Sequence, residues 1–184
     1  MPRNDGTKNA VVLVFCSDGR RTKPFADYEQ GLRDRGWKTY SVRTAGSALQ
    51  YARMFWLIPA MQLLPFLRLG GARYFYLENH PDCAGLALFR NSRRERLLMR
   101  TRGLQDEHKH HDWCQRRAAR RLHWFMLAMG VRDAQIGIQV IDEPETDVAN
   151  NTDPFPKGAQ VIPMPDAAAA PWWLRWRIKR VLAT

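Results

Sequence analysis

Cysteine is scarce in this chain of 184 residues: there are three. Three cannot make a disulfide framework, and a domain of this length buries enough surface to fold without one. Acidic residues are also short, 18 against 29 lysines and arginines, for a formal net charge of +11. Such an excess attracts anions: nucleic acid, anionic lipid or a simple counter-ion atmosphere. The arginines are spread over several expected helix faces, and no helix-turn-helix or RNP signature accompanies them, so a solvated basic surface is expected and a specific nucleic-acid partner is not. Long apolar runs are missing too. The most apolar stretch, Met54 to Leu69, is interrupted by Pro59, Gln62 and Pro65 and is too short to span a bilayer, so it is expected to be buried. Met1 is followed by a polar, charged segment in place of an apolar signal sequence, and a reducing cytoplasm is the expected home.

What the chain does have is two short β-branched and aromatic runs that stop abruptly at polar residues. Ala10 to Arg20 reads A-V-V-L-V-F-C-S-D-G-R, and Tyr74 to Gly85 reads Y-F-Y-L-E-N-H-P-D-C-A-G. Each has the form of a buried strand running into a loop. If the two are parallel neighbours, Cys16, His80 and Cys83 emerge together beyond the carboxyl ends of their strands, where open α/β sheets place their sites. Two thiolates and an imidazole suit zinc, and three protein ligands leave a fourth position open.

Between and after these runs the pattern alternates. Asp27 to Arg35 is amphipathic and ends at Gly36, and Trp37 to Val42 has strand character and closes at Ala45-Gly46. From Ala48 to Leu67 apolar residues nearly encircle a helix axis that Pro59 and Pro65 should divide. Helices are expected within Ala84 to Leu98 and over Glu107 to Met129, followed by a strand from Ile136 to Ile141. Cys114 and His123 fall inside the long helix and are read as packed or surface residues. His108, His110 and His111 form a His-rich turn, read as a solvated helix start in preference to an adventitious metal site. Asn150 to Pro171 shows no sustained period and reads as a linker. Beyond it, Trp172 to Leu182 mixes tryptophans with Arg175, Arg177, Lys179 and Arg180, a basic aromatic segment suited to packing on this chain or a second copy, or to contact with a membrane surface.

The motif Cys16-Ser17-Asp18-Gly19-Arg20 followed by His80-Pro81-Asp82-Cys83-Ala84-Gly85 resembles the signature of the β-class carbonic anhydrases, C-x-D-x-R and H-x-x-C. Ser41 to Gly46 resembles that family's strand ending in R-N-A-G, Leu69 to Arg73 its L-G-V-K lead-in, and Ile136 to Asp142 its late strand. Ser47 stands where a second glycine is usual. The resemblance spans about Ala10 to Asp142. It implies an α/β fold with a mostly parallel central sheet flanked by helices, and a zinc domain over residues 1–149 followed by a linker and basic aromatic segment over 150–184. It also implies Zn2+ held by Cys16, His80 and Cys83, with Asp18 and Arg20 as catalytic residues. In that family the aspartate accepts a hydrogen bond from zinc-bound hydroxide, and the arginine pairs with the aspartate and keeps it off the metal.

The expected activity is then a carbonic-anhydrase-like lyase interconverting carbon dioxide and bicarbonate. Two alternatives stand beside it: a hydrolase of carbonyl sulfide or carbon disulfide on the same fold, and a zinc-stabilised, non-catalytic binding protein with a basic surface. A sheet of few strands leaves an edge and an apolar helix to cover, so a homodimer or tetramer is expected.

Overall fold

The computed structural model describes residues 9–17, 22–53, 55–80, 83–140 and 154–183. Five strands form one sheet: β1 (Ala10–Cys16), β2 (Lys38–Thr44), β3 (Tyr74–Asn79), β4 (Gln135–Val140) and β5 (Gln160–Ile162), in the spatial order β2-β1-β3-β4-β5. The first four run parallel, and β5 closes the far edge antiparallel to β4. This is the expected α/β architecture with a mostly parallel sheet.

The alternation of side chains along β1 sorts the core into two halves, because successive residues of a strand face opposite sides of the sheet. Val12, Val14 and Cys16 join the larger cluster and Val11, Leu13 and Phe15 the smaller. Both faces are covered, which is why all seven residues of β1 are buried and why its sequence is a continuous apolar run. On the smaller side lies α1 (Thr22–Asp34), which contributes Phe25, Tyr28 and Leu32. Phe25 stacks on Phe15 with ring centroids 4.2 Å apart. Arg35-Gly36 closes this helix, Gly36 taking φ +83 as its place in the turn requires.

On the larger side the segment after β2 divides into α2 (Leu49–Ala52), α3 (Leu57–Met61) and α4 (Leu64–Arg68), with Pro65 in the first turn of α4 where its missing N–H costs nothing. The expectation that Met54 to Leu69 is buried holds only in part. Trp56, Ala60, Leu63 and Leu67 are buried, whereas Phe55, Ile58, Met61 and Leu69 face outward; Met54 lies outside the described residues. Three short helices turn more than one face toward the core in succession, so apolar residues around the whole axis do not imply cover on every side.

After β3 come α5 (Ala84–Arg90), α6 (Arg93–Arg102) and the long α7 (Glu107–Ala128). Ser92 caps α6 by accepting a hydrogen bond from the Glu95 N–H, and Asp106 caps α7 by accepting one from the Lys109 N–H at 2.9 Å. Gly103 and Gly130 end the two helices with positive φ. Gln115 of α7 donates to the backbone carbonyls of Leu77 and Gln139, tying the helix across β3 and β4.

Residues read from sequence as a linker instead contribute β5 and a short 3-10 turn, Ala167–Ala169, before α8 (Trp172–Leu182). Leu174 and Ile178, four apart, enter the main core from α8. Three residues of strand are too few to leave a period in the sequence. The boundary expected at 149 and 150 falls outside the described residues.

β5 is pinned to α7 by His123, whose Nε2–H donates to the Ile162 carbonyl at 3.1 Å. This imidazole is almost fully buried, and burial pushes its pKa below the ordinary 6.5, more than the carbonyl contact raises it. A histidine buried neutral binds fewer protons folded than unfolded, so its stabilisation is complete above pH 6.5 and drains away as the pH falls below that value. Thermal melts taken between pH 8 and pH 4.5 should show the melting temperature dropping on the acid side, and His123→Gln, which keeps a donor and cannot titrate, should make the drop shallower while the share of the buried His111 remains. An unchanged slope in that variant would remove His123 from the account.

Candidate metal centre

The connections decide where a site forms. The chain leaves β1 through α1 toward β2 on one side, and it leaves β3 through α5 to α7 toward β4 on the other. Connections therefore diverge between β1 and β3, and the crevice beyond the carboxyl ends of two such neighbouring strands is where open α/β sheets bind ligands. Register brings the two ends level: Val14 pairs with Leu77, so Cys16 and Asn79, each two residues further on, end their strands side by side.

Three ligand atoms converge there. The sulfurs of Cys16 and Cys83 are 3.5 Å apart, and with one nitrogen of His80 all three lie within 4.8 Å of one another. All three residues are buried, with exposures of 5 %, 4 % and 1 % for Cys16, Cys83 and His80. Both cysteines are free of disulfides. Ligands at roughly 2.0–2.3 Å from a tetrahedral zinc stand about 3.3–3.8 Å from each other. The sulfur pair, at 3.5 Å, is within about 0.3 Å of the upper figure, which applies to two thiolates, and two soft thiols with one imidazole are a zinc donor set, so these residues fit the ion that the sequence motif implies. Asp18 and Arg20 lie outside the described residues.

Local backbone structure holds the ligands. Cys83 precedes α5, and its carbonyl accepts the first helical hydrogen bond, from Ala87 N–H at 2.8 Å. The loop after β1 is tied to the end of β2 by Ser17 N–H donating to Thr44 O at 3.0 Å. The turn that follows β2 is fixed in its own right. Gly46 has φ +78, and Ser47 has φ 45, a left-handed conformation unusual for a residue with a Cβ. Its hydroxyl donates to the Val14 carbonyl at 2.9 Å, and its own carbonyl accepts from the Thr44 hydroxyl at 3.1 Å. Serine thus holds a backbone shape that glycine adopts more readily, with a buried hydrogen bond to β1 offsetting the strain.

The two motifs meet directly. A Cβ added to Gly85 would stand 2.8 Å from Gly46 N and 2.9 Å from the Ala45 carbonyl carbon, so α5 starts in backbone contact with the Ala45-Gly46 turn. Glycine is the one residue that permits this approach.

Sequence reading missed a second cluster. Glu95 of α6 with His110 and Cys114 of α7 bring three ligand-type atoms within 4.8 Å, all buried. His110 Nε2 is 3.0 Å from a Glu95 carboxylate oxygen and 3.7 Å from the Cys114 sulfur. Glutamate and histidine are already joined to each other, and burial foremost, then the Glu95 charge, pushes the Cys114 thiol well above its ordinary pKa, so it stays protonated. The cluster ties α6 to α7. The expected solvated helix start is corrected accordingly: His108 is exposed, but His110 and His111 are fully buried. His111 is pushed down to about 3, chiefly by that burial and then by the charges of His110 and Arg90, so it is neutral at physiological pH. The signal available in sequence was the i, i+4 spacing of His110 and Cys114 on one helix face, but their partner Glu95 arrives from another helix, which spacing cannot show.

No family model and no curated protein matches the chain. Among solved structures it is similar to β-carbonic anhydrase isoform I from the protozoan Trichomonas vaginalis, with a TM-score of 0.43 and 15% identity over 88% of this chain and 85% of that one, a likeness too slight to carry an inference.

The backbone contact at Gly85 yields a direct test. Gly85→Ala has no flexible side chain to displace and must push α5 away from the Ala45-Gly46 turn, costing about 1–3 kcal/mol. Urea denaturation of the purified variant measures this, and stability within about 0.5 kcal/mol of the parent would mean the close approach is not made.

Proposed function

We propose that this chain is a zinc-dependent lyase of the carbonic anhydrase kind, interconverting carbon dioxide and bicarbonate. The observation that carries the reading is the convergence of Cys16, His80 and Cys83 at the divergence of β1 and β3, within a sequence motif that also holds Asp18 and Arg20. Zinc, when bound, supplies a Lewis acid that brings the acidity of a coordinated water near neutral pH. The two thiolates and the imidazole hold the ion and, being three, leave one position for chemistry. Their burial keeps competing water out and strengthens every charge interaction at the site.

Asp18 is assigned the acceptor role, orienting the attacking water through a hydrogen bond, and Arg20 holds that carboxylate ionised and turned away from the metal. Carbon dioxide brings no proton donor or acceptor that needs a side chain of its own, so a small site with one oriented nucleophile suffices. A reducing cytoplasm suits a centre built on two cysteines that are not joined in a disulfide. Among the described residues the outer edge of β2 carries no further strand, and a homodimer or tetramer is the assembly proposed.

Zinc content comes first. The parent should hold about one zinc per chain, and Cys83→Ser, which exchanges a soft ligand for a poor one, should hold less than about a tenth of that by elemental analysis. Full occupancy in the variant would overturn the ligand assignment.

Activity is tested by stopped-flow carbon dioxide hydration on zinc-loaded protein. Arg20→Ala and Asp18→Asn should each keep the metal and the melting temperature while the rate falls on the order of a hundredfold, the scale of one positioned acid–base group. A structural ion pair predicts the reverse, with both variants melting early and specific activity unchanged per folded, zinc-loaded molecule.

A further inference from the structure

A cleft on the α7 side of the molecule is lined by Arg102, Arg117, Arg120, Arg121 and Arg175, and no lining residue is acidic. Among the described residues none of these five guanidinium groups makes a salt bridge. Their positions are nevertheless held. Arg117 and Arg102 stand over the Trp113 ring at 4.9 Å and 5.7 Å, and Arg121 over Trp56 at 5.6 Å. Arg121 also donates to the Tyr51 and Arg53 carbonyls, and Arg175 to the Ala170 carbonyl at 2.7 Å. Burial, and after it the charges of Arg117 and Arg120, lower Arg121 to about 10. Five like charges held together at this cost leave a place for anions.

The rim is apolar. Trp172, which lines the cleft, is 79% exposed, and Trp176, one turn further along α8, is exposed as well. Phe55 and Leu97, exposed at 70% and 64%, are the sequence neighbours of the lining residues Trp56 and Leu98. The Trp56 and Trp173 rings are 6.2 Å apart and join α8 to this segment. Helix α8 turns Leu174 and Ile178 inward and presents Trp172 and Trp176 together with Arg175, Lys179 and Arg180 outward, so the platform is preformed.

We propose that this face docks on an anionic lipid surface, with lipid phosphates entering the arginine cleft and Trp172, Trp176 and the aliphatic rim seated at the headgroup level. A bilayer accepts both parts: basic side chains are drawn to its anionic headgroups, and tryptophan and aliphatic side chains partition at its interface. A second copy does not fit, since a two-fold contact would set five arginines against five. Nucleic acid would satisfy the arginines and stack on tryptophan, but it offers no apolar layer for an exposed aliphatic side chain such as Leu97, next in sequence to the lining residue Leu98.

The test is co-sedimentation of the full chain with sucrose-loaded vesicles of phosphatidylcholine alone or mixed with phosphatidylglycerol. Binding should require the anionic lipid, weaken with salt and shift tryptophan emission to the blue. Trp172 and Trp176 are exposed, so Trp172→Ala with Trp176→Ala leaves the core intact and should lower partitioning about tenfold, as should the charge reversal Arg120→Glu. Equal binding to neutral vesicles, or partitioning unchanged in both variants, overturns the proposal. So does tighter binding of single-stranded oligonucleotides than of the anionic vesicles, or a dimer broken by the Trp172→Ala, Trp176→Ala pair. Zinc content reports on the Cys16 centre separately, so failure of either reading leaves the other standing.

Discussion

The parallel pairing of β1 with β3 is the interaction on which everything else in this molecule depends. Pairing Val14 with Leu77 sets two strand ends level and places Cys16 beside the loop that carries His80 and Cys83. A slip of one residue would turn Cys16 from the α7 side of the sheet to the α1 side and bring Phe15 to the crevice, since side chains alternate along a strand. What prevents the slip is burial on both faces. Val12 and Val14 fill one core and Val11, Leu13 and Phe15 the other, so no displaced register keeps both packed.

Helix α7 is the second organising element. Near its start, His110 meets Glu95 from α6; at Gln115 it grips the backbone of β3 and β4; at His123 it holds β5. Its other face supplies Trp113, Arg117, Arg120, Arg121 and Trp124 to the arginine cleft. One helix thus carries buried polar ties on the side toward the sheet and cationic aromatic groups on the side toward solvent, which accounts for the interleaved stripes in its sequence.

The sheet and the three candidate ligands were legible in the sequence because they rest on local signals. A strand buried on both faces writes a continuous apolar run, and a strand end is marked where polar residues begin, so β1, β3 and the residues after them could be placed without knowing their neighbours. What was not legible depends on contacts distant in sequence. The buried state of His110 and His111 requires α6 to bring Glu95 across them. The exposure of Phe55, Ile58 and Met61 depends on how three short helices turn, which a count of apolar residues does not record. Likewise β5 is three residues long, and it is a strand because β4 offers it an edge and His123 anchors its last carbonyl.

Ser47 shows how a departure from a motif is absorbed. The position needs a left-handed backbone, which glycine adopts freely and serine only at a cost of about 1–2 kcal/mol. The Ser47 hydroxyl makes a buried bond to Val14 O, two residues before Cys16, worth about 1 kcal/mol net. Serine also restricts the unfolded chain more than glycine does, which recovers part of a further kcal/mol. These terms nearly cancel, so the exchange leaves stability close to where glycine would set it while adding a side-chain tie between the β2 turn and the strand that ends in a ligand. Alanine at the same position would carry the strain without the bond. The constraint on position 47 is therefore the turn's shape together with its link to β1, and serine meets both through a hydroxyl directed at the Val14 carbonyl.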